Sequence, residues 1–471
     1  MHKRRGYSLL AAAGAVTAML ISVLAALPAS ANTTSLTRYP YLTDVVNAGS
    51  TDNATLNWAT DTSQTTGYAT YGLAGTESCT AHRANGSKTA MTVNGVAEEQ
   101  WKAKITGLTP GASYCYRVFF SNPTVDLLAT DTSPVFPVPG TSGSFKFAVF
   151  GDWGDTVAPT DQANVDAQIA ASGAQFLLGT GDTAYNSGSQ TNYGDLYQTG
   201  SQISAVFAPN YFKNIGSHIP LFNALGNHGQ STTFLNVWPM PTAPSLSGGR
   251  YQMDTYCCVN GTTSRSLPSV WYAFTVGNSR FYILDATWPN GDLGTGTIYS
   301  DDAAAHWSAS SPEYQWLASD LAAHPGGLKF AVAHFPMYSD NSSEKTDTFL
   351  HGSGSLAELL TQSGVQMVFN GHAHIYERNT KQAGESFVSY VTGGGGSVLE
   401  PVGTAGCGSY DAYAIGWSPT KLKGYKCGAA PVPASASAVY HYLLVTVNGN
   451  QVTVTPTNEN GQQFDVMTYN F

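Results

Sequence analysis

Five short runs of this chain place a side chain of metal-binding type beside glycine or in a tight turn, and four of the five closely follow an apolar run. The five runs are Gly151-Asp152-Trp153-Gly154, Gly181-Asp182-Thr183-Ala184-Tyr185, Gly226-Asn227-His228, Ala333-His334 and Gly371-His372-Ala373-His374. The four apolar runs are Phe145 to Phe150, Phe176 to Leu178, Phe330 to Ala333 and Val365 to Phe369. Open α/β folds build their sites from loops at the carboxyl ends of strands. A single run of this kind is a turn more often than a ligand, but five in sequence predict a dedicated metal centre.

The types of side chain in these runs indicate which metals they suit. Asp, Asn and Tyr supply hard oxygen ligands and His supplies a borderline nitrogen, which favours Fe, Zn or Mn over a thiolate-preferring metal. Tyr185 follows Asp182 by three residues, so one loop offers both a bridging carboxylate and a phenolate. A phenolate ligand favours a trivalent ion. His372 and His374 are two residues apart and point to different ions if their loop is extended.

The first 31 residues have the pattern of an export signal. Lys3-Arg4-Arg5 is the basic start, Leu9 to Leu27 is the apolar stretch, and Ala29-Ser30-Ala31 is a small-residue cleavage site. The alternative is an uncleaved membrane anchor, because the apolar stretch is nearly long enough to span a bilayer. The well-formed cleavage site favours a secreted chain that has no membrane anchor after cleavage.

Charge and cysteine content narrow the partners and the compartment. The formal net charge is −10 and no cluster of Lys and Arg follows Arg5, which argues against nucleic acid or anionic membranes as the main partner. Six cysteines in an exported chain predict disulfides. Locality favours the pairs Cys79–Cys115 and Cys407–Cys427, whereas the adjacent Cys257 and Cys258 either form a vicinal bridge or pair elsewhere.

At 471 residues the chain is long enough for two domains. We expect an all-β sandwich over residues 32–140, because its strands alternate apolar and polar side chains between Pro/Gly turns. A Pro-, Gly- and Ser-rich linker from Pro137 to Ser144 then leads to a catalytic domain over residues 141–471. In that domain, Glu313 to Ala323 predicts a helix capped by Ser311, and Tyr442 to Val447 and Gln451 to Thr455 predict two closing strands.

Together, the five runs resemble those of the purple acid phosphatases, within the calcineurin-like metallophosphoesterases. A fibronectin type III-like sandwich before the catalytic domain also occurs in the plant-type members, so the resemblance covers the whole mature chain. It implies an α+β or α/β catalytic domain of four layers, in which two β-sheets are flanked by helices. It also implies an Fe(III) ion held by Asp152, Asp182, Tyr185 and His374. A divalent Fe, Zn or Mn ion would be held by Asn227, His334, His372 and the bridging Asp182.

The chain departs from the family pattern at two places. Gly229 stands where the family usually has an acidic residue after the Asn-His pair. Ser343 and Glu344 stand where plant-type members have histidines that contact the substrate phosphate. His351, in a nearby loop, is a candidate replacement. Both departures leave the substrate preference open.

His228 is the candidate catalytic residue, which would contact the phosphate or protonate the leaving alkoxide. The alternative is that His228 only orients its neighbour Asn227. The resemblance implies a secreted acid phosphatase that hydrolyses phosphate monoesters by attack of a metal-activated hydroxide. Two alternatives stay open: a phosphodiesterase, favoured if the long segments Gln230 to Val270 and Thr287 to Ser311 open a groove, and a non-catalytic protein that uses its sandwich for adhesion.

Overall fold

The computed structural model describes residues 36–47, 52–196, 206–207, 211, 215–229, 231–239, 247–259, 263–285, 309, 311–341, 343–344, 346 and 350–471. For residues 46–47, 247–250, 253–259 and 263–267 it describes the backbone alone, which leaves out the side chains of Cys257 and Cys258. The predicted signal segment and most of the segment Thr287 to Ser311 lie outside the described residues. In the part that is described, no helix combines the length and the apolarity needed to cross a membrane.

The amino-terminal part of the described chain is all β, as the alternating pattern predicted. Its strands are β1 (Leu36–Asn47), β2 (Asp52–Thr60), β3 (Gly67–Leu73), β4 (His82–Val93), β5 (Val96–Leu108), β6 (Ser113–Ser121), β7 (Thr124–Asp126) and β8 (Val135–Pro137). Their apolar side chains enclose a core around Trp58 and Trp101, whose rings stack 5.9 Å apart. The predicted disulfide Cys79–Cys115 is confirmed.

The rest of the chain alternates strands with a few helices. Its elements are β9 (Ser144–Phe150), α1 (Pro159–Ala171), β10 (Phe176–Gly179), α2 (Gln190–Tyr193), β11 (Leu221–Asn223), α3 (Thr232–Val237), β12 (Ser247–Val259), β13 (Thr263–Val276), β14 (Ser279–Ile283), α4 (Pro312–Ala323), β15 (Leu328–Val332), α5 (Leu356–Gln362), β16 (Met367–Asn370), β17 (Tyr376–Asn379), β18 (Val388–Thr392), β19 (Asp411–Ser418), β20 (Lys423–Gly428), β21 (His441–Asn448), β22 (Gln451–Asn458) and β23 (Met467–Asn470). The predicted helix is confirmed as α4, and the Ser311 side chain caps it by accepting the Tyr314 N–H. The two closing strands are confirmed as β21 and β22, and the second predicted disulfide, Cys407–Cys427, is also present.

Two sheets organise this architecture. One runs in the order β23-β22-β21-β9-β10-β11-β1-β2-β5-β4-β3-β6-β7, with β8 beside β6, and the other runs β12-β13-β14-β15-β16-β18-β17-β19-β20. Strands β9, β10 and β11 pair in parallel in the first sheet, and β14, β15 and β16 do so in the second. Parallel strands end at the same edge of a sheet, so the loops that follow them gather there.

A phenylalanine-rich core joins the two sheets face to face. The Phe147 ring in β9 lies 5.3 Å from Phe176 in β10, 5.2 Å from Phe281 in β14 and 5.5 Å from Phe330 in β15. Edge-to-face and offset aromatic pairs of this kind fix the packing of large apolar side chains. Helices α4 and α5 pack their leucines in a separate cluster with β15 and β16, and α1 contacts β21 and β22. The predicted arrangement of two sheets flanked by helices is confirmed.

The amino-terminal sandwich is bonded to the loop that follows Tyr185. The fully buried Arg38 of β1 donates from Nε to the Gly194 carbonyl at 2.6 Å and pairs with Glu98 of β5 at 2.9 Å. The Leu196 N–H donates to the Thr37 carbonyl at 2.7 Å. The contacts with Gly194 and Leu196 join residues before the predicted linker to residues after it. The domain boundaries 32–140 and 141–471 themselves stay a prediction.

Candidate metal centre

The five runs found in the sequence all follow parallel strands. Asp152 lies two residues after β9 and Asp182 three residues after β10, while Asn227 lies four residues after β11. In the facing sheet, His334 and His372 each lie two residues after the ends of β15 and β16. The seven predicted ligand residues are therefore carried to one edge of the two-sheet core.

Tyr185 stands at the meeting point of one group of these side chains. Its hydroxyl lies 3.4 Å from Asp152 Oδ1, 3.1 Å from Asp182 Oδ2 and 3.1 Å from His374 Nε2. His374 Nε2 is also 3.5 Å from Asp152 Oδ1. One phenol, two carboxylates and one imidazole thus converge on a single small volume.

The other predicted ligands form a second group that shares Asp182 with the first. His334 Nε2 lies 3.2 Å from Asp182 Oδ1 and 2.8 Å from Asn227 Oδ1. The ligand atoms of Asp182, His334 and His372 all lie within 4.8 Å of one another. Because Oδ2 of Asp182 faces Tyr185 and Oδ1 faces His334, the carboxylate stands between the two groups.

Backbone carbonyls fix the orientation of two of the histidines. His334 Nδ1 lies 2.9 Å from the Thr180 carbonyl, and His374 Nδ1 lies 2.7 Å from the Val398 carbonyl. A neutral imidazole that donates from Nδ1 presents the lone pair of Nε2 on its other side, which is the orientation that metal-ligating histidines require. In both rings Nε2 faces the clustered carboxylates.

Close backbone packing explains the glycines in the runs. A Cβ added to Gly226 would overlap the backbone nitrogen and the carboxylate of Asp182, and one added to Gly371 would lie 2.5 Å from Asp152 Oδ2. Three ligand candidates also have backbones in the left-handed region, with φ values of 59° at Asp152, 48° at Asp182 and 70° at His372. Such conformations cost about 1–3 kcal/mol each and cluster at functional sites.

The electrostatics of the cluster fit a bound cation. Burial raises the pKa of Tyr185 well above its usual value, and the carboxylates of Asp182 and Asp152 raise it further. Burial also acts to raise the pKa of Asp182, but the neighbouring imidazoles, with His334 the strongest, together outweigh it and leave that pKa below its usual range. A bound cation reverses the balance at the phenol, because it stabilises the phenolate and the carboxylates together. The donor set therefore fits a metal ion.

His228 lies beside the cluster without joining it. Its backbone N–H donates to Asp182 Oδ1 at 2.6 Å, its Nδ1 lies 2.7 Å from the Asn186 carbonyl, and its ring is 4.6 Å from the ring of Tyr185. This geometry is compatible with both predicted roles, so the catalytic assignment stays a prediction. Nε2 of His351 lies 2.5 Å from the Met337 carbonyl, and its suggested role as a replacement for the phosphate-contacting histidines stays a prediction.

The structure adds one residue that the sequence patterns did not single out as functional. The Oε2 atom of Glu344, which stands at one of the two positions that depart from the family pattern, lies 2.7 Å from His372 Nε2. The departure from the family pattern was the only signal for Glu344 in the sequence. It does not reveal where the side chain points. Asn341 and Glu400, which help to hold the backbone around Glu344, had no such signal in the sequence.

Comparisons with known proteins identify the families that this chain resembles. Residues 43–138 match the family model for the purple acid phosphatase amino-terminal domain, and residues 145–376 match the model for the calcineurin-like phosphoesterases. The chain is 25% identical over 301 residues to purple acid phosphatase 15 of Arabidopsis thaliana, covering 59% of this chain and 49% of that protein. It is 24% identical over 304 residues to acid phosphatase type 7 of Danio rerio, covering 58% and 56% of the two chains.

The matched region spans only about half the length of these two relatives. Among solved structures, the purple acid phosphatase PPD1 from yellow lupin (Lupinus luteus) superimposes with a TM-score of 0.62 at 13% identity. The superposition covers 92% of this chain and 74% of that one. At this identity the likeness concerns the fold.

Proposed function

This chain belongs to the purple acid phosphatases, and on that premise we propose that it is a secreted acid phosphatase that hydrolyses phosphate monoesters at a centre of two metal ions. The observation that carries the proposal is the divided contact of Asp182. Its Oδ2 lies 3.1 Å from the Tyr185 hydroxyl and its Oδ1 lies 3.2 Å from His334 Nε2. A carboxylate shared between two sets of donors is what a dinuclear centre requires. The two disulfides support export, because such bonds persist in oxidising compartments.

Each ion would be held by donors that already lie together. Fe(III) would be held by Asp152, Asp182, Tyr185 and His374, and a divalent Fe, Zn or Mn ion by Asp182, Asn227, His334 and His372. When bound, two such ions supply Lewis acidity towards the phosphoryl oxygens and lower the pKa of water.

The accessible side of the cluster is where the substrate would enter. The side chains of His372 and His374 are 12% and 15% exposed, whereas Asp152, Asp182 and His334 are exposed by 1% or less. The carboxylates of Asp152 and Asp182 therefore lie on the buried side of the centre. The two partly exposed imidazoles mark the side from which a phosphate ester would reach the centre, which we call the opening.

We assign His228 to proton transfer to the leaving oxygen. Its Nδ1 is engaged by the Asn186 carbonyl, so the ring accepts and releases its second proton at Nε2. As a general acid, the ring would donate this proton from Nε2 to the leaving oxygen.

Spectroscopy and metal analysis test the centre. Tyr185→Phe removes the phenol oxygen, so the visible absorption of a ferric phenolate should disappear and bound iron should fall. Tyr193→Phe, which changes another buried tyrosine of the same region, is the matched control and should keep the colour. Metal-replete protein that is colourless in its oxidised form would refute the tyrosine assignment.

Kinetics combined with metal analysis test His228. We expect His228→Ala to lower kcat by about 100-fold or more, in line with the loss of a general acid, while both metals stay bound. His82→Ala, on the exposed surface of the sandwich, should change neither. Loss of the divalent ion from His228→Ala would instead show that this histidine only orients Asn227.

A phosphodiesterase is the second candidate function, and one contact favours it. The carboxylate of Glu344 lies at the exposed edge of the cluster, beside His372, where it would repel a dianionic monoester more than a monoanionic diester. Comparing the turnover of an aryl monoester with that of an aryl diester by metal-replete protein separates the two candidates.

A further inference from the structure

The contact between Glu344 and His372 is made at the atom through which the histidine would bind a metal. Glu344 Oε2 lies 2.7 Å from His372 Nε2, and the Glu344 side chain is 38% exposed. Its carboxylate thus lies between the solvent and the second group of donors. This is the side on which the two least buried histidines of the centre border the opening.

Hydrogen bonds from a buried side chain hold the backbone that carries Glu344. The Oδ1 atom of Asn341, a residue only 2% exposed, accepts the backbone N–H groups of Ser343 at 2.7 Å and of Glu344 at 2.8 Å. Its Nδ2 donates to Glu400 Oε2 at 2.7 Å, and the same oxygen accepts the backbone N–H of His374 at 3.2 Å. The backbone that carries Glu344 is therefore bonded to the loop that carries His374. These bonds fix the backbone at Glu344, and the contact with His372 Nε2 orients its carboxylate.

We propose that Glu344 is a specificity-determining residue, whose carboxylate sets a fixed negative charge at the mouth of the metal centre and disfavours dianionic phosphate monoesters relative to monoanionic phosphodiesters. The inference rests on the proposed function of the centre as a phosphoesterase. The repulsion between two charges scales with their product, so a dianion is opposed twice as strongly as a monoanion at the same distance. A neutral side chain of equal shape would remove this difference.

The effect should be large enough to measure by steady-state kinetics. Charges a few ångströms apart at a partly solvated site interact strongly enough to change an equilibrium by about tenfold or more. We therefore expect Glu344→Gln to raise the ratio of kcat/KM for an aryl monoester to that for an aryl diester by at least about tenfold. The assay is run above the second pKa of the monoester, which is about 6, so that the monoester is a dianion.

A binding measurement provides a readout that does not depend on turnover. Calorimetry with inorganic phosphate should show a dissociation constant about tenfold lower for metal-replete Glu344→Gln than for the parent protein, since the dianion no longer meets a like charge. Glu344→Asp keeps the charge and should resemble the parent in both measurements. Ser343→Ala, at the exposed neighbouring residue whose backbone bonds to the same Asn341, is the control for disturbance of the loop.

Each possible outcome either supports or contradicts the proposed role of Glu344. An unchanged ester ratio together with an unchanged phosphate affinity overturns the proposal, as does an equal gain for both esters. Loss of the divalent ion from Glu344→Gln also overturns it, because the carboxylate would then be a ligand and not a charge filter. If the parent protein binds both metals but hydrolyses neither ester, the proposed function fails, while the phosphate affinities still test the role of Glu344.

Discussion

A buried carboxyl group in α1 should contribute stability in acid that is lost at neutral pH. Asp166 is fully buried on the inner face of α1, and its burial raises its pKa to about 8, an effect that the nearby Gln162 side chain offsets only in part. An unfolded aspartate has a pKa of about 3.9. Between these two values the folded protein keeps a proton that the unfolded chain has lost.

The sign and the size of the effect follow from this difference. As the pH rises from about 4 to about 8, the folded state binds the extra proton, so the free energy of unfolding falls by about 1.4 kcal/mol per pH unit. At pH 7 the accumulated loss is about 4 kcal/mol, and at pH 4 it is close to zero. Asp166→Asn removes the titrating group with little change of shape. It should therefore stabilise the protein by up to about 4 kcal/mol at pH 7 and leave its pH 4 stability almost unchanged relative to the parent.

Urea unfolding at several pH values between 4 and 8, followed by tryptophan fluorescence at constant metal saturation, measures this difference. Ala167→Asp places a carboxylate at the next position of the same helix, where the side chain is exposed, and serves as the matched control. Its difference from the parent should not vary over this pH range. The reasoning is refuted if the stability difference between Asp166→Asn and the parent is the same at pH 4 and pH 7.

Three further predictions concern the scaffold around the centre. Arg38→Met leaves Glu98 buried without its charge partner and should cost about 3–5 kcal/mol in urea unfolding, most of which Glu98→Gln in the same chain should restore; a cost below about 1 kcal/mol would contradict the role given to the pair. Replacing both Cys407 and Cys427 by Ser removes a disulfide that joins residues 20 positions apart. It should lower the free energy of unfolding by about 3 kcal/mol, and an unchanged urea midpoint would contradict this prediction. Gly371→Ala sets a methyl group against a ligand carboxylate, so metal analysis should show loss of bound iron from folded protein, and full iron content would show that the close approach is not needed.

Much of the architecture was predictable because its signals lie in consecutive residues. Apolar runs that end in glycine and a polar side chain predicted strands such as β9, β10 and β16 with functional loops at their carboxyl ends, and the structure has them. Ser311 and Pro312 predicted the start of α4 from the local chemistry of a helix end. The two disulfides were predicted from locality, which succeeds when both cysteines belong to neighbouring parts of one domain.

Other features of the site could not be predicted, because they depend on residues far apart in the chain. Tyr185 and His374 are separated by 189 positions and meet at 3.1 Å only after the two sheets have packed through their phenylalanine core. No local pattern states which oxygen of Asp182 faces which group. The contact of Glu344 with His372 was likewise hidden, since the backbone of that loop is held through Asn341, which bonds to Glu400, 59 positions further along the chain.

The amino-acid sequence by itself therefore indicated much of the succession of strands and helices, the compartment that its predicted signal segment and its cysteines favour, and the kinds of donor atoms available for a metal. These features follow from side-chain chemistry and short-range periodicity, both of which can be recognised in a few neighbouring residues. Only the tertiary structure decided how the donors divide into two groups around Asp182, which histidines border the solvent, and that a carboxylate occupies the mouth of the centre. Those properties depend on contacts between segments that are far apart in the sequence. Such contacts form only when the chain folds and buries its core.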